Sequence, residues 1–447
     1  MHRATRPLER FLHIEAASGI VLLGCALVAL LWANSGWADQ YSALWRLPLG
    51  LRIGPLSLER SLAWVVNDVL MVLFFFVVGM EIRRELHQGE LSQWRRALLP
   101  VAAALGGMLV PALLYLAIAG APSTRPGWGI PMATDIAFAI GVLTLLGSRV
   151  PAALRVLLLA LAVIDDLGAI VVIAVFYSSG IALSGLGVAS LGIALIFLMQ
   201  RLGLRSKLLY VGPGLLTWAG IYAAGIHPTI AGVVIGLLTP VRAWLGPQRF
   251  LADLHERSAA LLFPGPEPGA TPELSTQLRE LDRARREARS PAEELIARLH
   301  PWVAFAIMPL FALANAGVDL RDLRWGDGPQ SVALAVTIGL SLGKPVGVLL
   351  SCLLLLRLRL ATLPRGLSLR HLSVLGIVAG IGFTMSIFTA QLAFPEGALL
   401  GAAKLGVLAA SAFAGLASLL WGRWFLPLAG DSGQAKTADE AENSTAL

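Results

Sequence analysis

Long apolar runs separated by short polar breaks fill most of this chain. A helix needs about 20 apolar residues, at 1.5 Å each, to cross a lipid bilayer. Twelve runs approach that length, at roughly 14–34, 62–82, 97–119, 127–147, 151–176, 182–200, 206–222, 226–240, 301–317, 330–356, 371–393 and 399–421. An even number of crossings places both termini on one side. Several runs are interrupted by Gly or Pro, and 226–240 is short. Residues 45–61, WRLPLGLRIGPLSLERS, instead alternate apolar and polar around Gly54-Pro55. That pattern predicts a small β-hairpin on the outer face. The 241–300 stretch predicts a long loop on the side of the termini. Its charge-mixed second half has a helical pattern broken by Pro291. The tail, 428–447, is polar and expected to be disordered. The expectation is an all-α membrane protein with one integral domain over 1–427.

Composition agrees with that reading. The chain is 56% hydrophobic and 14% charged, against about 25% charged in soluble domains. The net charge of +7 sits in loops between apolar runs, so it does not point to nucleic acid. Under twelve crossings, one side receives only Arg46, Arg52, Arg60, Arg125, Arg321 and Arg324 from the short loops. The side of the termini takes the larger share, including Arg83, Arg84, Arg95, Arg96, Arg201, Arg205, Lys207 and Arg357. The positive-inside rule then predicts cytoplasmic termini. Cys25 and Cys352 lie in distant apolar runs, which suggests neither a disulfide framework nor a thiolate metal site. The N-terminus lacks a signal-peptide cleavage pattern.

A few polar residues inside the runs carry the chemistry. In LAVIDDLGAI, Asp165 and Asp166 stand side by side near the middle of a crossing. Each costs at least about 2.5–3.5 kcal/mol at the bilayer centre. Successive helix positions point about 100° apart, so one carboxylate can line an ion cavity while the other turns to a neighbouring helix. In GIPMATDIAF, Pro131 breaks a helix just before Thr134 and Asp135. Both residue types cap a freed backbone or bind a hard cation through oxygen, and the two readings are compatible. Lys344 lies in another apolar run; buried and charged, it needs a carboxylate partner, and Asp165 is the one expected. A second weak helix, GIVAGIGFTMSIFTA, contains Gly380, Gly382 and Thr384. One interrupted segment in each half of a chain is the pointer to an inverted-repeat transporter. In crossed half-helices, Asp135 offsets the positive N-termini and Lys344 the negative C-termini.

Other residues stay open between two readings. His227 in AGIHPTIAGV is either a structural interface histidine or a functional one. Glu81, Arg83, Arg84, Glu85, His87 and Glu90 form either a solvated helix end or a pH-responsive cluster. Asn67 and Asp68 are polar in an apolar run, with no role assigned. Two rival functions are weighed. An intramembrane aspartyl protease needs one aspartate on each of two crossings in a GxGD setting, and gives Lys344 no role. A passive sodium channel needs no broken helices. No GxxxxGK[ST] nucleotide loop is present, and no cofactor is expected.

At FFFVVGMEIRREL, PMATDIAFAIGVL, LAVIDDLGAI, IHPTIAGV, LHPWVAFAIMPLFALANAGV, GKPVGV and GIGFTMSIF, the chain closely resembles the NhaA family of sodium/proton antiporters. The resemblance implies twelve transmembrane helices in inverted-topology repeats, with the fourth and eleventh broken and crossing. It implies a secondary active transporter, not an enzyme, of the bacterial inner membrane. Cytoplasmic Na⁺, and Li⁺, would leave in exchange for two external protons. Asp166 then matches the principal sodium and proton carboxylate, Asp165 the partner of Lys344, and Thr134 and Asp135 the broken-helix site. Glu81, Glu85, His227 and His300 match positions of pH response. The 45–61 hairpin matches an element that joins two protomers. One departure stands out: Ile296 and Ala297 occupy positions that are acidic and histidine in strongly pH-regulated members.

Overall fold

A computed structural model of the chain describes residues 6–53, 56–178, 180, 182–204, 206–243, 290–321, 326–364 and 366–426. The expected disorder of the 428–447 tail and most of the 241–300 loop lie outside the described residues.

Helix α1 (Arg6–Ala33) turns through 115° into α2 (Ala38–Arg46). The predicted hairpin follows. Strands β1 (Pro48–Ile53) and β2 (Leu56–Ser61) are antiparallel, with Pro48 opposite Ser61 and Ile53 opposite Leu56. The Ser61 hydroxyl then accepts from the Trp64 amide and starts α3 (Leu62–Gln88). Next come α4 (Trp94–Ile118), a 3₁₀ helix (Arg125–Met132), α5 (Ile136–Leu145), α6 (Ala152–Phe176), α7 (Leu183–Arg201), α8 (Val211–Ala223) and α9 (Thr229–Leu238). After the long loop, α10 (Pro291–Asn315) and α11 (Asp327–Arg357) precede α12 (Leu369–Ala379), α13 (Phe383–Ala393) and α14 (Ala398–Phe425).

Among the described residues, seven helices are long and apolar enough to cross a membrane, and ten if each bent pair is one crossing. This is fewer than the twelve apolar runs, because α8 and α9 have only 13 and 10 residues. At 1.5 Å per residue neither spans a full hydrocarbon core alone. The chain is a helical, multi-pass membrane protein, with one small sheet among the described residues.

Its helices differ sharply in where they sit. α6 buries 61% of its apolar window and α7 only 22%, so α6 is central and α7 is left for lipid. Close backbone contacts hold neighbours together. A Cβ on Gly79 of α3 would come within 2.7 Å of the Val233 carbonyl on α9, so only glycine allows this approach. Three helices carry a wide, π-type turn, at Val65–Leu70 in α3, Val303–Ile307 in α10 and Gly339–Gly343 in α11. Such turns insert about one residue and are frequent at functional sites. The turn in α11 ends immediately before Lys344.

Candidate functional site

Two interruptions meet beside α6. The first is 133–135, between the 3₁₀ helix and α5, where the chain bends by 40°. The second is 380–382, between α12 and α13, where it bends by 44°. They are joined directly: the Asp135 amide donates to the Ile381 carbonyl at 2.7 Å. A buried break leaves backbone groups unpaired, and each must find a partner.

Asp135 supplies partners for both helix starts. Its Oδ1 accepts from the Phe138 amide at 3.0 Å, capping α5. Its Oδ2 accepts from the Thr384 amide at 3.2 Å and from the Thr384 hydroxyl, at the start of α13. Each helix N-terminus carries roughly half a positive elementary charge, so one carboxylate offsets two dipoles. Ser411 on α14 completes the start of α13, accepting from the Phe383 amide at 3.1 Å.

The opposite helix ends are met by donors. Lys344 Nζ donates to the Met132 carbonyl, the last of the 3₁₀ helix. The Thr134 hydroxyl lies 2.9 Å from the Ala379 carbonyl, the last of α12. The same two groups converge on Asp165. Lys344 Nζ is 2.7 Å from Asp165 Oδ2, and the Thr134 hydroxyl donates to that oxygen at 2.8 Å. Lys344 and Asp165 are fully buried.

Asp166 is different. It is 1% exposed, and as the next position on α6 it projects about 100° from Asp165. It lies within electrostatic reach of three carboxylates, Asp165, Asp135 and Glu81 on α3, and of Lys344. Its Oδ1, like Asp165 Oδ1, is buried with no hydrogen-bond partner among the described residues. A charge count shows what is left over. Asp135 faces two helix N-termini, and Lys344 is bonded to Asp165 and reaches Asp166 only through its field, so Asp166 is the carboxylate with no cation in direct contact. A buried, uncompensated carboxylate must take up a proton or a cation. Two bare oxygens on adjacent residues suit a small, hard cation.

The residues expected to respond to pH do not form one group. Glu85 accepts from the Glu90 amide at 2.7 Å and closes the end of α3. Glu81 lies one turn before it, and His300 is half-buried in the first half of α10. His227 is at the other end of α3. Its Nδ1 is 2.8 Å from the Thr229 hydroxyl and its Nε2 is 3.8 Å from Asp68. Ile296 is buried in the core and Ala297 is exposed. Beside them, Glu294 pairs with Lys207 at 2.6 Å and Arg298 at 2.8 Å.

Two polar groups escaped the sequence reading. Asn315 and Gln391 join the unassigned Asn67 in one hydrogen-bonded cluster. The available signal was a single amide inside LFALANAGV and SIFTAQLAF.

Comparison with known proteins bears on this site. Residues 9–421 match the family described as Na⁺/H⁺ antiporter 1. A Myxococcus xanthus protein named Na(+)/H(+) antiporter NhaA 2 is 64% identical, over 99% of this chain and 94% of its own length. Proteins of the same name from Sorangium cellulosum and Pseudomonas putida are 57% and 50% identical, covering 98% and 97% of this chain and 94% and 96% of their own. Two meeting helix breaks, a buried carboxylate pair and a buried lysine thus lie within a match that spans nearly the whole chain, and the chain belongs to the NhaA family of Na⁺/H⁺ antiporters.

Proposed function

We propose that this protein exchanges cytoplasmic Na⁺, and Li⁺, for external H⁺, with Asp166 and Asp165 as the shared carrier of ion and proton. The observation that carries the proposal is the pair of buried, unpartnered carboxylate oxygens beside a single lysine. With both aspartates ionised, the pair binds Na⁺ through Asp166 Oδ1 and Asp165 Oδ1, with Thr134 alongside. Protonation removes the charge that holds the cation, so Na⁺ and H⁺ compete for one site. Asp135 contributes through its field, since both its oxygens cap helices.

Lys344 supplies the second proton. When Na⁺ occupies the pair, the Asp165–Lys344 contact weakens and the lysine can release its proton; when Na⁺ leaves, the pair re-forms. Two protons then move per Na⁺. The exchange carries one net charge per cycle, worth about 2.3 kcal/mol per 100 mV of membrane potential. The proton gradient and this potential drive sodium out.

In this reading, α8 and α9 complete twelve crossings, and the half-helices on either side of the two breaks cross. Both termini and Glu81, Glu85 and His300 face the cytoplasm, where they tune the response to pH. The hairpin and His227 face outward across the bacterial inner membrane. The hairpin joins two copies in a homodimer.

The test is sodium-driven proton movement in proteoliposomes, with and without a potassium/valinomycin clamp. Wild-type protein should acidify or alkalinise the lumen according to the imposed gradients, and its rate should depend on the clamp. Asp166→Asn should be inserted and folded but silent. Wild-type rates in Asp166→Asn would sink the assignment.

A further inference from the structure

On the hairpin side of the acidic site, three helices contribute one phenylalanine and one amide each. Phe388 on α13 packs against Phe75 of α3 at 5.4 Å and Phe311 of α10 at 6.2 Å, ring centre to ring centre. All three rings are essentially inaccessible to solvent. Above them, Asn315 of α10 donates to Asn67 Oδ1 of α3 at 2.7 Å and accepts from Gln391 of α13. Asn315 is also tied to its own helix, donating to the Phe311 carbonyl at 2.9 Å.

The spacing puts these two layers in series with the site. On α13, Thr384, Phe388 and Gln391 are separated by four and then three residues, so they share one face. Thr384 holds Asp135, Phe388 is about 6 Å further along and Gln391 about 4.5 Å beyond that. On α10, Phe311 and Asn315 are likewise four apart. On α3, Asn67 and Phe75 are eight apart, and the wide turn at Val65–Leu70 resets the helical phase by about one residue. That brings both to the same side.

We propose that Asn67, Asn315 and Gln391 are the outer latch of the exchange, holding α13 against α3 and α10 so that the phenylalanine plug seals the carboxylates from the hairpin side. Asn315 is buried and Asn67 and Gln391 are half-buried; amides withdrawn from water cost desolvation unless they stay paired, so the trio favours one of two discrete arrangements, shut or parted. Parting it frees α13, whose first turn holds Asp135. The latch and the ion site therefore move together. The inference rests on the exchange reading, since a channel or a static site needs no seal that opens and closes.

Two measurements test it, in a chain whose Cys25 and Cys352 are replaced by serine. In the first, Asn315→Cys with Gln391→Cys is oxidised to a disulfide. Exchange in proteoliposomes should fall at least tenfold and return on reduction. Undiminished exchange in the cross-linked protein, or failure of the pair to cross-link at all, overturns the latch. The second needs no transport activity, so it separates this proposal from the exchange reading. A reporter, Met71→Cys, stands buried on α3 between Asn67 of the latch and Phe75 of the plug, one turn from Phe75 on the same side, and should resist a membrane-impermeant thiol reagent applied from the hairpin side. Adding Gln391→Leu should raise its labelling rate at least tenfold. A lower melting temperature with unchanged labelling would mean that the amides only hold the helices together, and the latch would be wrong.

Discussion

Asp135 and Asp166 are the same side chain, each 1% exposed, and their surroundings treat them in opposite ways. Asp135 has both oxygens occupied by the starts of α5 and α13. Asp166 has a buried oxygen with no partner and three carboxylates within electrostatic reach. The first arrangement is saturated and builds structure. The second is left incomplete, and in the proposed exchange the cargo completes it. A buried carboxylate is therefore read by what its oxygens already hold, more than by its depth.

Paired substitutions at these two positions should break that comparison most visibly. Asp166→Asn should abolish exchange, by about 100-fold or more, because the group that takes both ion and proton is gone. The same change should leave stability unchanged or raised, since it removes an uncompensated buried charge. Asp135→Asn should do the reverse, losing about 1–3 kcal/mol of stability from two uncompensated helix dipoles while retaining exchange at reduced affinity. Thermal unfolding in detergent and transport in proteoliposomes, measured on both variants, check this crossover.

Lys344→Ala should come next in size. It leaves Asp165 buried without its partner, at a cost of about 3–5 kcal/mol while that carboxylate stays ionised. It should also remove the second proton. If exchange stays electrogenic in a destabilised Lys344→Ala protein, the lysine is structural and the proton count needs another residue. Thr384→Val should cost less, about 1.5–3 kcal/mol for one hydrogen bond to a charged group. Its effect on exchange should be indirect, seen as a changed Na⁺ affinity rather than lost turnover.

The sequence made some of this legible and concealed the rest for a physical reason. Charges in apolar runs are costly, so Asp165, Asp166, Asp135 and Lys344 stood out wherever the chain folded. The hairpin was legible through its alternation, and the broken helices through Pro131, Gly380 and Gly382. Lys344 also lies against Asp165, as charge balance required. What stayed hidden were register and contact across long separations. Nothing local in SIFTAQLAF says that Gln391 meets Asn315, or that Thr384 meets Asp135. The wide turns in α3, α10 and α11 have no helical-period signature either. The resemblance gave Glu81, Glu85, His227 and His300 as positions without distances; Glu81 and Glu85 lie toward one end of α3, His227 beside the other, and His300 on α10.

Competition between sodium and protons at Asp166 and Asp165 is tested most directly by counting the protons released when Na⁺ binds. Purified protein in weakly buffered detergent solution, at a series of pH values, is mixed with NaCl and the released acid is titrated. Wild type should release protons on Na⁺ binding, with Na⁺ affinity weakening about tenfold per pH unit for each competing proton in the acidic range. Asp166→Asn should bind no Na⁺ and release nothing, while Asp135→Asn still does both. Sodium-linked proton release that persists in Asp166→Asn would contradict the assignment.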